Sequence, residues 1–246
     1  MRYPKIEKNA LAILALLLIF PQAAEAMHIM DGYLPLTHCI VWGVICLPFL
    51  TAGITGIRHI LQKKKRLLIL LAMSGAFIFV TSSLKMPSFT GSSSHMTGTG
   101  LATMLFGPAV TSVLGIIVLI FQAILLAHGG LTTLGANSFA LIVGSILVWF
   151  LYAQGKKLKL NRKTNIFIAA ALGNLLAYCV TSLQLAVAHP SETGGVMASA
   201  VKFLGVFAPT QLPLAVVEGL LTVLIVIGME NFAESELKEI AFWEAK

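Results

Sequence analysis

The sequence predicts an all-α integral membrane protein, a bundle of about seven transmembrane helices. Three observations support this fold class. Hydrophobic residues make up 57% of the 246 residues and charged residues only 11%, whereas an ordinary soluble domain has about 25% charged residues. Residues 86–155 and 164–191 contain no Asp, Glu, Lys or Arg. Apolar runs long enough for lipid recur along the chain, which excludes a soluble or disordered protein.

The first 26 residues are predicted to be a cleavable signal peptide. Three basic residues precede an apolar stretch over residues 10–20, and Ala24 and Ala26 match the small-x-small cleavage pattern. The apolar stretch is too short to cross the membrane as a helix, because it would rise only about 16 Å against a bilayer core of about 30 Å. Cleavage would make Met27 the first residue of the mature protein, and the alternative is an uncleaved anchor helix.

The membrane domain is predicted to comprise residues 27–230, followed by a short cytoplasmic amphipathic tail over residues 231–246. Basic residues cluster in two loops of this domain, at residues 58–66 and 156–163. Ten of the 17 Lys and Arg residues lie there, so the net charge of +7 reflects membrane topology rather than nucleic-acid binding. Six long apolar runs follow the leader, over residues 36–57, 67–84, 108–127, 134–152, 165–188 and 203–229.

Six crossings alone would place the two basic loops on opposite sides of the membrane. The positive-inside rule places both in the cytoplasm, so one more crossing is needed between residues 85 and 107. The candidate is residues 95–106, a short run rich in Gly, Thr and Ala that could cross only when buried among other helices. We therefore expect seven helices, with the N-terminus outside and the C-terminus in the cytoplasm.

Five of the six histidines fall at the predicted outer ends of these helices. Imidazole is a ligand for divalent Zn, Cu, Ni and Co, and thiolate or carboxylate donors are scarce in these regions. A metal site is therefore expected on the outer side, while the roles of several individual histidines stay open. The five are His28, His38, His95, His128 and His189; His59 lies beside a basic loop.

The pair Met27-His28 at the predicted cleavage point is the sharpest candidate for metal binding. A free terminal amine, the next backbone nitrogen and the His28 ring nitrogen can form two fused chelate rings on one ion. A fourth nitrogen, for which His95 is the best candidate, would close a tetragonal site of the kind that suits Cu(II) or Ni(II). The alternative is a signal peptidase site that happens to precede a histidine.

Two further features bear on function. Glu218 is the only carboxylate well inside an apolar run, and it is as suited to a functional role as to pairing with a neighbouring hydroxyl or amide. The sequence contains no Walker A motif or other phosphate-binding Gly-Lys loop. Energy for any active transport must therefore come from another chain.

Four stretches resemble one family closely, the CbiM-type substrate-specificity component of energy-coupling factor cobalt transporters, with the NikM-type nickel components as near relatives. The resemblance implies a seven-helix metal-binding subunit that works with a transmembrane coupling subunit, cytoplasmic ABC ATPase subunits and a small accessory membrane subunit. It also implies ligands at the mature terminus and on a following histidine, here Met27, His28 and His95. A departure is the leader, since many relatives begin at the initiator methionine. The stretches are MHIMDGYLP (27–35), residues 82–108, LAHGGLTTLGAN (126–137) and residues 202–222.

The expected function is Co(II) binding for ATP-driven uptake into the cell, feeding cobalamin synthesis, with no enzymatic activity and no bound prosthetic group. The loop resemblance favours cobalt, whereas a planar nitrogen site favours nickel, so Ni(II) is the alternative substrate. An intramembrane metalloenzyme is disfavoured because the sequence has no HExxH motif. A self-sufficient permease is a further alternative.

Overall fold

The computed structural model describes residues 28–63, 66–87 and 93–240. The predicted signal peptide, Met27 and residues 241–246 lie outside the described residues. Helices dominate, and the two strands are only two residues long. In chain order the elements are α1 (Leu36–Lys63), α2 (Leu67–Ser83), β1 (Met86–Pro87), β2 (Ser93–Ser94), α3 (Thr99–Leu126), α4 (Leu134–Lys157), α5 (Arg162–Ala188), α6 (Gly195–Phe232) and α7 (Glu234–Lys238).

Five of these helices are long and apolar enough to cross a membrane: α1, α3, α4, α5 and α6. Helix α2 is also apolar but has only 17 residues. Leu, Ile and Val side chains remain exposed along the helices, as lipid contact requires, and in the most apolar 18-residue stretch of α1 only 11% is buried. The prediction of an all-α multi-pass membrane protein is confirmed.

Helix α3 is interrupted at Gly107, where the backbone leaves the helical conformation. Gly107 has φ 82° and ψ 167°, a conformation that residues with a Cβ rarely adopt. Pro108 follows it, and a proline disfavours helical geometry in the preceding residue while fitting the first turn of a new helix. Residues 99–106 and 108–126 therefore form two separate arms of α3.

The two arms run in opposite directions along α2. At the start of the first arm, a Cβ added to Gly98 would collide with Thr81 Oγ1 near the end of α2. Near the end of the second arm, the Gln122 side-chain amide donates to Ser82 Oγ at 2.7 Å. A straight helix of 28 residues would be about 42 Å long, so its two ends could not both reach this end of α2. The chain therefore reverses direction at Gly107.

This reversal brings the two basic loops to the same end of the bundle. Leu67, directly after the first basic loop, packs in one apolar cluster with Tyr152 and Ile166, which lie on either side of the second. The additional segment that the charge pattern places at residues 95–106 is thus present as the first arm of α3. The assignment of this end to the cytoplasm remains a prediction.

The first arm begins later than the sequence pattern indicates. The pattern places His95 at the start of a short helix, whereas the helix begins at Thr99, after Gly98 with φ 69°. The backbone between them is held by side chains of α6 rather than by helical hydrogen bonds. A short antiparallel pairing of β1 with β2 precedes this stretch and delivers His95 to the end of the bundle.

The C-terminal part of the chain packs at the end that carries the basic loops. Leu237 of α7 and the following Ile240 are buried in the same apolar cluster as Leu67. Arg162 and Glu230 form an ion pair of 2.6 Å between the start of α5 and the end of α6. The described chain therefore ends opposite the segment where it begins.

The arrangement of the helices predicts which loops share a side of the membrane. In a variant without the three native cysteines, Arg66→Cys and Lys157→Cys should react with a membrane-impermeant thiol reagent only from the cytoplasmic side. Glu192→Cys, in the exposed turn after α5, should react from outside. Reaction of the first two positions from opposite sides would contradict the reversal at Gly107.

Candidate metal centre

Three histidines from separate parts of the chain meet at the end of the bundle opposite the basic loops. His28 precedes α1, His95 lies between β2 and α3, and His128 follows α3. One ring nitrogen of each lies within 4.8 Å of the others. The ring centroids of His28 lie 4.3 Å from His95 and 4.9 Å from His128, and those of His95 and His128 are also 4.9 Å apart. The three imidazoles form one compact cluster.

The cluster is buried, and four of its six ring nitrogens lack hydrogen-bond partners. The exposed fractions of His28, His95 and His128 are 3%, 0% and 1%. Both ring nitrogens of His28 and the Nε2 atoms of the other two have no partner. A buried polar group without a partner costs about 1–3 kcal/mol. Three such groups facing one another form a site that favours a cation able to accept their lone pairs.

The protonation states of the cluster suit a metal ion. Burial lowers the pKa of all three imidazoles, that of His95 to about 4. The rings are therefore neutral near pH 7 and carry a free lone pair. His95 Nδ1 lies 2.8 Å from the Met96 carbonyl oxygen; since a carbonyl only accepts, Nδ1 holds the proton and leaves Nε2 free as a ligand.

The segment after His28 is fixed against the start of α4. The Ile29 N–H donates to Asn137 Oδ1 at 2.8 Å, and Asn137 Nδ2 donates back to the Ile29 carbonyl at 3.0 Å. The hydroxyl of Thr133 donates to the same carbonyl. Asp31 Oδ1 accepts from the Thr132 hydroxyl and from the Thr132 N–H at 2.8 Å, and the hydroxyl bond is the main cause that lowers the pKa of the Asp31 carboxyl. These bonds hold the backbone of the segment, so the position of His28 does not depend on its own ring.

A tight turn at the end of α3 presents His128. Ala127 adopts φ 46° and Gly129 φ 72°, and the His128 N–H caps the helix by donating to the Gln122 carbonyl at 3.1 Å. A Cβ added to Gly129 would lie 3.3 Å from the Cβ of His28. The glycine therefore permits both the left-handed turn and the close approach of the N-terminal segment.

The structure brings together two of the three predicted ligands and places the imidazole of His128 beside them. His28 and His95 are adjacent, while Met27 lies outside the described residues. Sequence reasoning placed His128 at the correct end of the bundle but gave it no role as a ligand. His128 lies near His28 and His95 because the chain reverses direction at Gly107. The sequence feature that could have indicated its role is a histidine followed by Gly-Gly at the end of an apolar run.

The remaining histidines lie away from the cluster. His189 Nε2 is 2.6 Å from the carbonyl oxygen of Tyr33, so this ring is already engaged in a hydrogen bond. His38 is partly exposed in the first turn of α1, and His59 is exposed towards the other end of that helix. The expectation of several histidines at one end holds, but only three of the described ones converge on a common point.

Comparison with known proteins identifies the family. Residues 28–235 match the family described as the cobalt uptake substrate-specific transmembrane region, CbiM. The chain is 57% identical over 240 residues to the cobalt transport protein CbiM of Lachnoclostridium phytofermentans, with 96% of each chain covered. It is 52% identical over 221 residues to the cobalt transport protein CbiM of Clostridioides difficile, covering 89% of this chain and 88% of that protein. These relatives are transporters rather than enzymes.

Solved structures show the same fold. A crystal structure of a transition metal transporter aligns with a TM-score of 0.73 at 25% identity, covering 84% of this chain and 94% of the other. A truncated transition metal transporter aligns with a TM-score of 0.71 at 25% identity, covering 83% and 98%. The family match extends from the first histidine of the cluster through the last long helix, and the chain therefore belongs to the CbiM family of substrate-specific membrane components for cobalt uptake.

Proposed function

We propose that this chain is the Co(II)-binding membrane subunit of an ATP-driven energy-coupling factor importer that supplies cobalt for cobalamin synthesis. The observation that carries the proposal is the convergence of three buried imidazoles, each with at least one ring nitrogen that lacks a partner. The family match and the relatives named as cobalt transport proteins support cobalt as the transported ion. The cluster lies opposite the basic loops, as a site loaded from outside the cell requires.

The proposed ligands are the Met27 terminal amine, the backbone and ring nitrogens of His28, and His95 Nε2. Three donors from two consecutive residues give two fused chelate rings on one ion. His95 supports this set because its free Nε2 belongs to the cluster that contains His28. Since Met27 directly precedes His28, its amine becomes available only when the leader is removed.

His128 supports cobalt over nickel as the substrate. Four nitrogens in one plane suit Ni(II) and Cu(II). His128 Nε2 offers a further nitrogen within the same cluster, and a fifth donor makes the site less suited to an ion that prefers planar coordination. A nickel-specific component of the same transporter type is the second candidate, favoured by the planar chelate at Met27 and His28.

The proposed partners are a transmembrane coupling subunit, cytoplasmic ABC ATPase subunits and a small accessory membrane subunit. The absence of a phosphate-binding Gly-Lys loop from the sequence supports this assignment, because ATP must then be hydrolysed by another chain. Metal uptake in cells without any ABC ATPase subunit would instead support a self-sufficient permease.

Signal peptide cleavage is the first requirement of this site. The intact mass of the protein extracted from membranes should correspond to a chain that begins at Met27. Ala26→Leu should block cleavage, because the small residue before the cleavage point is lost, and should leave the full mass. A full-length mass for the unmodified protein would contradict both cleavage and the amine ligand.

Release of the Met27 amine should strongly increase the affinity for Co(II). Residues 23–26 are replaced by an Ile-Glu-Gly-Arg protease site, and equilibrium Co(II) binding is measured before and after cleavage of the purified protein. Affinity should rise on cleavage by more than about 100-fold, since loss of a direct ligand exceeds the usual effect of an outer-shell partner.

Two substitutions in that protein serve as controls for the cleavage experiment. His28→Ala should keep binding weak before and after cleavage, because the chelate is then open. His59→Ala, far from the cluster, should behave like the parent. Full Co(II) affinity before cleavage would refute the terminal-amine ligand.

The role of the His128 imidazole is tested by metal selectivity. His128→Ala should weaken Co(II) binding more than Ni(II) binding, because the planar donors remain while the additional nitrogen is lost. The readout is the ratio of the two dissociation constants, measured by competition with a chromogenic chelator. His189→Ala is the matched control at the same end of the bundle and should leave the ratio unchanged. An equal loss for both metals would contradict the assignment of cobalt selectivity to His128.

A further inference from the structure

Glu218 is a fully buried carboxylate in the middle of α6. Its exposed fraction is 0%, and among the described residues it is the only buried Asp or Glu. Burying a carboxylate is costly unless hydrogen bonds compensate for the lost water. A charged side chain within a membrane-spanning helix is therefore retained for a specific interaction.

That interaction is with the stretch between His95 and the start of α3. Glu218 Oε2 accepts from the Thr97 N–H at 2.7 Å. Glu218 Oε1 accepts from the Thr97 hydroxyl at 2.8 Å and from the Gly98 N–H at 2.9 Å. All three donors lie within three residues of His95.

Glu218 binds donors at the N-terminal end of α3. Gly98 occupies the N-cap position of this helix, and its N–H and that of the preceding Thr97 both donate to the carboxylate. A carboxylate at the N-terminus of a helix is favoured by the helix dipole and forms strong, charge-assisted hydrogen bonds. Since Glu218 belongs to α6, these bonds fix the start of α3 to α6 next to the metal centre.

The same helix holds the other flank of His95. Thr210 and Ser94 share a hydroxyl hydrogen bond of 2.7 Å. Gln211 Nε2 donates to the His95 carbonyl oxygen at 3.2 Å and to Asn174 Oδ1 at 2.7 Å. Contacts from two places on α6 therefore enclose the His95 stretch.

We propose that Glu218 is a positioning residue for metal binding: it holds the turn after His95 so that Nε2 of that ring faces His28 and His128. This inference rests on the proposed function of the cluster as the Co(II) site. Glu218 itself does not touch the ion, since its oxygens are occupied by Thr97 and Gly98. Its effect on affinity is exerted through the placement of His95.

The test is Glu218→Gln, which keeps the side-chain volume but replaces one acceptor oxygen by an NH2 group. This group cannot accept from the N–H and O–H donors that face it. Equilibrium Co(II) affinity of the processed protein, which begins at Met27, should fall about 10–100-fold, as for other outer-shell partners. In a His95→Ala background the same change should cause little further loss, because the ligand it positions is absent. Thr97→Val removes one of the three bonds and should produce a smaller loss of Co(II) affinity. This variant provides the test if Glu218→Gln does not fold.

Asn165→Ala is the matched control. Asn165 Nδ2 donates to the Tyr152 carbonyl at 2.9 Å in the buried part of the opposite end of the bundle. Its loss should lower the melting temperature without changing Co(II) affinity. Unchanged affinity in Glu218→Gln, or an equal loss with and without His95, would overturn the positioning role. Absence of Co(II) binding by the unsubstituted protein would instead overturn the proposed function.

Discussion

The reversal of the chain at Gly107 is the constraint on which the rest of the structure depends. His95 precedes α3 and His128 follows it, and a continuous helix of this length would carry them to opposite ends of the bundle. Because the two arms of α3 run back along each other, both histidines reach the end where His28 lies. The same reversal places both basic loops at the other end. One glycine followed by Pro108 thus determines both the topology and the metal centre.

The metal centre is assembled at the expense of local stability. Buried imidazoles without partners are unfavourable in the absence of an ion, and they persist because the backbone around them is bonded independently of the rings. Asn137 holds the segment after His28, the helix cap holds His128, and α6 holds the stretch around His95. An ion that supplies the missing interactions is therefore expected to stabilise the folded protein as it binds.

The sequence predicted the features that follow from local composition. Long uncharged runs identified the helices, and the charge pattern required one more crossing within residues 95–106 because basic loops share one side of a membrane. His28 and His95 were predicted as ligands from their chemistry and position. The sequence did not reveal that His128 completes the cluster or that Glu218 binds the N–H groups of Thr97 and Gly98, because both contacts join residues far apart in the chain. A pattern of local hydropathy carries no information on which polar side chains meet inside the bundle.

Helix α6 holds the stretch around His95 at two places that differ in backbone hydrogen bonding. Pro209 and Pro213 lie on either side of Gln211, and each removes one backbone hydrogen bond from the helix. From this part of α6, Gln211 contacts the His95 carbonyl through a single neutral hydrogen bond. The contact at Glu218 is made beyond the prolines by three hydrogen bonds to a carboxylate. Since charge-assisted bonds are the stronger ones, the turn after His95 is held by Glu218 more than by Gln211.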